Sequence, residues 1–380
     1  MRRLALVTCL ATAAALRAGA QQLPAWAFGP FDKPATANPV LTPRAASTFR
    51  SPMNDSLVHW EEYAAFNPAA VVRGGRVVML YRAEDASGDA AIGHHTSRLG
   101  MAVSRDGLRF TRRAAPVLYP GRDGQRAYEW PGGVEDPRLV QLPDGRYLLT
   151  YTQWNRQTPR LAVATSRDLL HWTKHGPAFA RARGGKYRDM ETKSGAVVTR
   201  VVDGHLVAAK IGGRYWMYFN VPHVLLASSA DGIDWAIEEG GDGKPFEALT
   251  PRAGYFDSWL VEAGPPAIIT KDGIVLVYNA GNAPRDSAGD PVYPAHVYTG
   301  GQALFDARDP RKLLARLDAP FIHPTEPYER TGQYASGTTF AEALIPFRGR
   351  WYLYYGMADS RVGVAIAKDA DRLFPRSTHR

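Results

Sequence analysis

An internal repeat constrains the fold of this chain more than any other feature of its sequence. Each copy has a strand of small apolar residues followed by a turn that contains an aspartate. The clearest copies are residues 101–110, 161–172 and 224–235, and weaker copies are 302–310 and 364–374. Their turn aspartates are 62, 63, 75 and 63 residues apart, at Asp106, Asp168, Asp231, Asp306 and Asp369. A period of this kind predicts a repeat architecture.

A second pattern keeps the same period and identifies the repeating unit. Five segments begin with glycine, which permits a tight hairpin, and continue with β-branched and aromatic residues that favour strands. A short apolar strand precedes each of them. The segments are 75–85, 145–154, 213–220, 273–282 and 349–356. Five units of three or more antiparallel strands predict an all-β fold, a five-bladed β-propeller. The alternative is a β-sandwich whose segments resemble one another by chance.

The N-terminus predicts export. Arg2 and Arg3 precede an apolar run, residues 4–16, and the small residues 18–20 form a cleavage pattern, so residues 1–20 are predicted to be a signal peptide cleaved after Ala20. The mature protein is then periplasmic or secreted. Cleavage removes three arginines, which lowers the net charge from +9 to +6, and it removes Cys9, the single cysteine. Disulfides and thiolate chemistry are therefore excluded.

The rest of the chain is predicted to form one catalytic unit. Residues 21–60, rich in proline and alanine, are interpreted as an N-terminal arm, and residues 61–380 as the propeller domain. No later stretch approaches eighteen apolar residues, so no membrane contact is expected after cleavage. The positive charge is spread along the chain, which argues against nucleic acid as a partner. There is no glycine-rich phosphate loop and no paired-histidine metal motif, and no cofactor or metal is predicted.

The first strand of each propeller blade lines the central axis, and polar residues precede these strands in this chain. The segments concerned are 66–68, 134–138, 192–195, 261–266 and 335–337. Because such strands converge on one axis, we expect a ring of polar side chains in a concave pocket, which is the usual setting of a small-molecule site.

Two of these segments carry carboxylates, Glu135 with Asp136 and, on another blade, Glu262. Two carboxylates across a pocket are the minimum for hydrolysis of a glycosidic bond, since one donates a proton to the leaving oxygen and the other activates water or attacks. Arg82, Arg138 and Lys193 could tune their pKa values and hold sugar hydroxyls. Structural explanations stay open from spacing alone: a turn or an ion pair for Asp136, and a solvated loop for Glu262. Aromatic candidates for stacking on sugars are Trp130, Trp154, Tyr187, Tyr255 and Trp259.

Several ordered motifs together resemble glycoside hydrolase family 130, the mannoside phosphorylases and β-mannosidases. The most specific is Gly133-Val134-Glu135-Asp136-Pro137-Arg138, and it is supported by segments 67–69, 81–85, 97–100, 263–266 and 355–359. The resemblance implies a five-bladed propeller in which Asp136 is the general acid. It also places a group of residues around the bound mannose: Asn67, Arg82, Ser97, Arg98, Arg138 and Asp359.

Two departures from the family pattern favour hydrolysis over phosphorolysis. Phosphorylases of the family carry a histidine and an arginine that hold phosphate after the third-blade strand, where this chain has Phe219 and Asn220. Each lost charge-assisted bond is worth roughly 1.5–3 kcal/mol. Glu262 also stands where the family pattern has glycine, which places a carboxylate where phosphate would be repelled and where water needs a base. Export points the same way, because phosphorolysis conserves energy only inside the cell.

The sequence therefore predicts an exported, exo-acting and inverting β-mannosidase of the β-1,2 type, acting on manno-oligosaccharides or glycans. Asp136 is the acid, directly or through a substrate hydroxyl, Glu262 is the base, and Lys193 binds substrate. The alternatives are a mannoside phosphorylase, a non-catalytic glycan-binding propeller, and a propeller glycosidase acting on arabinan or fructan. The oligomeric state is not predicted.

Overall fold

The computed structural model describes residues 22–89, 91–368 and 371–374. The predicted signal peptide, Cys9 and the turn residue Asp369 lie outside these ranges. Within them, no helix is long and apolar enough to cross a membrane. The helices are single turns: Arg126–Glu129, Ala182–Gly185, Arg285–Ser287, Pro327–Glu329 and Asp371–Leu373.

The strands form a five-bladed β-propeller, in agreement with the repeat. Blade 1 comprises Ala64–Arg73, Arg76–Glu84, Ser97–Ser104 and Thr111–Arg112. Blade 2 comprises Gly133–Gln141, Tyr147–Trp154, Pro159–Ser166 and Thr173–Pro177. Blade 4 comprises Leu260–Ala263, Ile268–Ile269, Ile274–Gly281, Tyr298–Phe305 and Leu313–Arg316. Blade 5 comprises Thr339–Phe347, Arg350–Met357 and Arg361–Lys368. Neighbouring strands within these blades pair antiparallel, and in blade 4 both Leu260–Ala263 and Ile268–Ile269 pair with Ile274–Gly281.

Blade 3 departs from the predicted three-strand pattern. Its inner strand, Ala196–Val197, pairs with Arg214–Phe219, but a hairpin of Thr199–Val202 and His205–Ala208 is inserted between them. The remaining strands of the blade are Lys210–Ile211, Val224–Ser229, Trp235–Ile237 and Glu247–Leu249. The inserted hairpin turns at Asp203-Gly204, both in the left-handed region. The sequence signal at this turn is the same one that marks the main hairpins, so the pattern alone could not separate the two.

The first described residues lie against the last blade. Asp32 and Leu41 make isolated β-bridges to Ile366 and Val362 on the outer strand of blade 5. The Asn38 side chain adds hydrogen bonds to the Val364 backbone in both directions, at 2.8 Å each. Farther along, Phe49–Arg50 and Leu57–Val58 form a two-stranded hairpin. The outer edge of the last blade is thus covered by residues from the beginning of the chain, which satisfies backbone groups that would otherwise be open.

Apolar side chains are buried mainly where blades face one another. One cluster joins Leu80 of blade 1 to Leu149 and Tyr151 of blade 2, and another joins Tyr218 of blade 3 to Tyr278 of blade 4. Each fully buried side chain of this size contributes roughly 1.5–3 kcal/mol. These contacts fix the blades around the axis and therefore fix the positions of the residues at its open end.

The turn aspartates behave as structural residues, as predicted. The Oδ1 atoms of Asp106, Asp168, Asp231 and Asp306 each accept hydrogen bonds from two backbone N–H groups, two and three residues ahead. Such bonds close the turn between the third and fourth strands of a blade.

Candidate active site

A cavity of about 320 Å³ opens at the end of the axis where the inner strands begin. Every blade contributes a polar side chain to its wall: Asn67, Asp136, Lys193, Glu262 and Asp359, in blade order. The predicted polar ring is therefore present, and both predicted catalytic carboxylates face the same cavity. Blade 5 differs in detail, because segment 335–337 does not line the cavity and its place is taken by Thr338 and Asp359.

Backbone irregularities aim two of these side chains at the axis. Asn67 and Asp136 each occupy a β-bulge in an inner strand, with φ of 45° and 46°, and a proline follows each of them. Asparagine and aspartate tolerate this left-handed conformation better than most residues. The two side chains meet across neighbouring blades, where Asn67 Nδ2 donates to Asp136 Oδ1 at 2.8 Å.

Arg82 is the central cation of the cavity wall. Its guanidinium contacts Glu84 at 2.6 Å, Glu135 at 2.9 Å and Asp136 at 3.1 Å, and its side chain is only 8% exposed. Burial alone would lower the pKa of Arg82, but the three carboxylates outweigh burial and raise it well above its usual range. Arg82 is therefore a permanent charge that holds three carboxyl groups in place.

The two adjacent carboxyl groups of blade 2 differ in acidity. Burial raises the pKa of Glu135 to about 7, assisted by the charges of Asp136 and Glu84 and opposed by Arg82. Burial also acts on Asp136, but there Arg82, Lys193 and Arg138 prevail and hold its pKa below its usual range. Because the groups share Arg82 they titrate as a pair. Near neutral pH the pair retains a proton, mainly on Glu135, while Asp136 is ionised.

Glu262 is held by two neighbours from blade 3. Lys193 Nζ lies 3.2 Å from Glu262 Oε1, and the Ser194 hydroxyl donates to the same oxygen. Burial would lower the pKa of Lys193, but the charges of Glu262, Asp136 and Glu135 outweigh it and raise it. Asn220 exchanges hydrogen bonds with the Lys193 backbone, and Phe219 is fully buried. The third-blade strand end therefore presents no cation to the cavity from these two positions.

Three residues predicted around the substrate lie behind the cavity wall. Ser97 donates to Glu84 and Glu135, and Arg98 pairs with Asp85 at 2.7 Å. Arg138 is 1% exposed and pairs with Glu342 at 3.0 Å. These side chains position other residues and do not themselves line the cavity, and their contact with substrate stays a prediction.

Arg138 and Glu342 cross the axis directly beneath the cavity. Besides Glu342 on blade 5, Arg138 donates to the backbone oxygens of Asp136, Ala263 and Gly264, and so connects blades 2, 4 and 5. Burial raises the pKa of Glu342 well above its ordinary value, although Arg138 opposes this. Glu342 was not predicted from the sequence, because an isolated glutamate in an apolar strand has no repeat-based signal.

Other cavity residues were also missed. The hydroxyls of Thr152 and Thr338 are buried without a partner within the described part of the chain. Gln333 Nε2 donates to Glu84 Oε2 and to the Asp359 backbone oxygen, each at 2.8 Å. Unpaired hydroxyls of this kind suit a ligand rich in hydroxyl groups. The sequence signal that could have identified Thr152 is its place two residues before Trp154, a predicted stacking residue at the end of the same strand. Both residues line the cavity.

Asp359 stands on the hairpin between the last two strands, where its φ is 51°. Burial raises its pKa from 3.8 to about 7, with Arg82 opposing and Asp136 and Glu84 assisting. Among the predicted aromatic candidates, only Trp154 lines the cavity, while Trp130, Tyr187, Tyr255 and Trp259 do not.

A larger cavity, of about 680 Å³, lies at the outer edge of blade 1 and is rich in arginine. Its one carboxylate, Asp106, is committed to a turn. It therefore lacks the paired carboxylates that the smaller cavity has. Within the described ranges no group of His, Cys, Asp and Glu side chains has the arrangement of a metal site.

Comparisons with known proteins agree with this geometry. The model of glycoside hydrolase family 130, described as β-1,4-mannooligosaccharide phosphorylase, matches residues 36–372. A 1,2-β-oligomannan phosphorylase from Thermoanaerobacter sp. (strain X514) is 32% identical over 340 residues, which are 88% of this chain and 97% of that protein.

Two solved structures are more similar in sequence. A putative glycoside hydrolase from Parabacteroides distasonis ATCC 8503 superposes with a TM-score of 0.90 at 50% identity, covering 92% of this chain and 99% of that one. The other superposes with a TM-score of 0.89 at 52% identity, covering 91% of this chain and 96% of that one. It is described with the statement that the family of mannoside phosphorylases contains hydrolases that target β-1,2 mannosidic linkages in Candida mannan.

Proposed function

Because the chain belongs to glycoside hydrolase family 130, whose enzymes act on mannosides, we propose that it is an exported, exo-acting mannosidase that hydrolyses β-linked mannose with inversion. Asp136 serves as the acid and Glu262 as the base. The observation that carries the choice of hydrolysis over phosphorolysis is the ion pair between Glu262 and Lys193 at the cavity wall.

This ion pair makes the cavity unfavourable for inorganic phosphate. The cavity wall has two cations, Arg82 and Lys193, against four carboxyl groups, Glu135, Asp136, Glu262 and Asp359. Both cations are already paired with carboxylates. Two like unit charges 4 Å apart repel by about 4 kcal/mol at an effective dielectric constant of 20. A phosphate dianion beside Glu262 would meet this repulsion, whereas a water molecule would find an acceptor for its proton.

The proton for the leaving oxygen is available although Asp136 is ionised in the free protein. The Glu135–Asp136 pair retains one proton near neutrality, because the pKa of Glu135 is raised to about 7 by burial. A sugar that fills the cavity displaces water and so favours the neutral form of a carboxyl group. Asp136, bonded to Asn67 and Arg82, then takes up the proton that the pair retains and donates it directly or through a substrate hydroxyl, which leaves both Glu135 and Asp136 ionised. The water activated by Glu262 attacks the anomeric carbon as the bond breaks.

The relatives support this proposal unequally. The curated relative at 32% identity is a phosphorylase, whereas structures near 50% identity are described as putative glycoside hydrolases, and one is described with hydrolysis of β-1,2 mannosidic linkages. The more similar group thus favours hydrolysis and a β-1,2 linkage. Export rests on the sequence of residues 1–20 alone, and the mass of the mature N-terminus in the native host tests it.

The experiment is incubation of the protein with β-1,2- and β-1,4-mannobiose, with and without inorganic phosphate. We expect free mannose at a rate independent of phosphate, and NMR of the first product should show the α-anomer. Mannose 1-phosphate, formed only when phosphate is present, would instead establish a phosphorylase. Binding of mannobiose without turnover under either condition would establish a glycan-binding protein.

Glu262→Gln tests the base. Removal of a general base lowers the rate by roughly 10²–10⁴-fold, and we expect a loss in this range. Glu238→Gln is a matched control, because Glu238 also accepts from a serine, Ser228, and pairs with a cation, Arg311, but lies outside the cavity. Equal losses in the two variants, or none in Glu262→Gln, would contradict the assignment.

A further inference from the structure

Aromatic rings on one side of the cavity mouth form a row that continues beyond the cavity. Tyr298 and Tyr334 line the cavity, with ring centroids 5.2 Å apart in an edge-to-face arrangement. Trp259 lies next to Tyr298, at 6.1 Å, and its ring also meets His296 edge to face at 4.8 Å. The row therefore leads from the cavity wall to a tryptophan that does not itself line the cavity.

The position of Trp259 is fixed by blade 4. It directly precedes the inner strand Leu260–Ala263, which carries Glu262, and its backbone N–H donates to the Gly281 oxygen at 2.9 Å. A Cβ atom on Gly281 would lie 2.8 Å from Cε3 of the indole. The absence of a side chain at Gly281 thus provides the space in which the ring packs. Since inner strands begin at the face where the cavity opens, Trp259 lies on that face.

Trp259 is exposed and its polar group is free. It is 40% exposed. Five of the other eight tryptophans donate their indole N–H to backbone oxygens, namely Trp60, Trp154, Trp172, Trp216 and Trp235. Trp259 has no such acceptor within the described residues. A rigid ring with an unused donor is suited to a ligand that is apolar on one face and carries hydroxyl groups at its edge, as a sugar ring does.

The opposite side of the mouth offers less. Ile92 there is 53% exposed, but it is aliphatic, and the neighbouring indole of Trp154 already donates to the Gly93 oxygen at 2.8 Å. A chain of sugars that leaves the cavity therefore finds a stacking face with a free donor on the side of Trp259.

We propose that Trp259 forms an outer subsite that binds a sugar ring of the manno-oligosaccharide beyond those held in the cavity. This inference rests on the proposed function, because its ligand is the remainder of the chain whose terminal mannose enters the cavity. The subsite gives the enzyme a preference for longer substrates. Hydrolysis of the shortest substrate does not depend on it.

The test compares wild type, Trp259→Ala and Trp259→Phe on β-linked mannobiose, mannotriose and mannotetraose. We expect Trp259→Ala to lower kcat/KM about tenfold, equivalent to about 1.4 kcal/mol, for the tri- or tetrasaccharide, and to change it less than twofold for the disaccharide. Trp259→Phe retains a stacking face, so its kcat/KM for the longer substrates should lie between those of wild type and Trp259→Ala. Leu313→Ala is the control, because Leu313 is 42% exposed on the outer strand of blade 4, and it should change no rate.

The subsite would be overturned if Trp259→Ala lowered kcat/KM by the same factor at every chain length, or if it lowered kcat/KM at no chain length. Calorimetric binding of the same three saccharides separates this inference from the proposed function. If wild type hydrolyses none of them but binds the longer ones more tightly, and Trp259→Ala loses that difference, hydrolysis is wrong and the subsite stands. If wild type hydrolyses them and Trp259→Ala retains the length dependence in both assays, the subsite is wrong and hydrolysis stands.

Discussion

Asp359→Asn should stabilise the protein at alkaline pH relative to wild type. Asp359 faces the cavity beside Asp136 and Glu84, and burial with these neighbours raises its pKa from 3.8 to about 7. Folding therefore favours the protonated carboxyl group. Above pH 7 the folded protein must hold a charge that the unfolded chain holds more easily in water.

The magnitude follows from the two pKa values. Each pH unit between 3.8 and about 7 is worth about 1.4 kcal/mol, so full ionisation costs the folded state about 4 kcal/mol. Asp359 is partly accessible from the cavity, and solvent screening reduces this to about 2–4 kcal/mol. For a raised pKa the contribution is fully present below pH 4 and is lost as pH rises through 7. Asparagine does not titrate, so it adds no such dependence of stability on pH, and it tolerates a φ of 51°.

The assay is urea unfolding of wild type and Asp359→Asn at several pH values between 4 and 8.5. The difference in free energy of unfolding, variant minus wild type, should grow by about 2–4 kcal/mol from the acid to the alkaline end. Any effect of the side-chain exchange on packing appears as an offset that does not depend on pH. Asp286→Asn removes an exposed carboxyl group and serves as the control. A difference that stays constant with pH, or widens toward acid, would refute the reasoning.

Two further predictions concern the scaffold behind the cavity. Gly133→Ala should destabilise the protein by more than about 2 kcal/mol in thermal unfolding, because φ is 116° there and a Cβ atom would lie 2.1 Å from the Ser97 oxygen. Gly145→Ala, also at positive φ but with nothing within 4 Å, should cost about 1 kcal/mol, and equal effects would contradict the steric argument. Arg138→Met should cost roughly 3–5 kcal/mol, as expected when a buried ion pair loses one partner. The double variant Arg138→Met with Glu342→Gln should regain part of the lost stability. If it regains none, the unpaired Glu342 carboxylate is not the cause of the loss.

The strand framework was predictable because its signals are local. Three kinds of residue shape the backbone within a few residues of their own position: glycine at the hairpin turns, β-branched residues in the strands, and the turn aspartates. The structure has its strands and turns where the repeat predicted them. The inserted hairpin at 199–208 was not predictable, since its Asp203-Gly204 turn resembles the main ones. Neither were the bridges of Asp32 and Leu41 to the last blade, because such pairing depends on ring closure and has no sequence period.

Part of the site was predictable for a geometric reason. Inner strands converge on the axis, so polar residues at their beginnings had to meet, and Asn67, Asp136, Lys193 and Glu262 do so. In a regular strand Arg138 would share a face with Asp136, because residues two apart point to the same side. The bulge between Glu135 and Arg138 adds a residue and removes that relation. Arg138 therefore points beneath the cavity, to Glu342.

Lys193 and Glu262 together set the charge at one wall of the cavity. Lys193 contacts Glu262 at 3.2 Å, and its pKa is raised by that carboxylate together with Asp136 and Glu135. Without the glutamate, as in the glycine-bearing pattern that the family resemblance implies, the same lysine would lose its ion-pair partner and keep only the more distant charges of Asp136 and Glu135. With it, in the proposed hydrolysis, the lysine holds a carboxylate beside the space where water is activated. Under the proposed function, a glutamate in place of glycine at position 262 is therefore the change that favours water over phosphate.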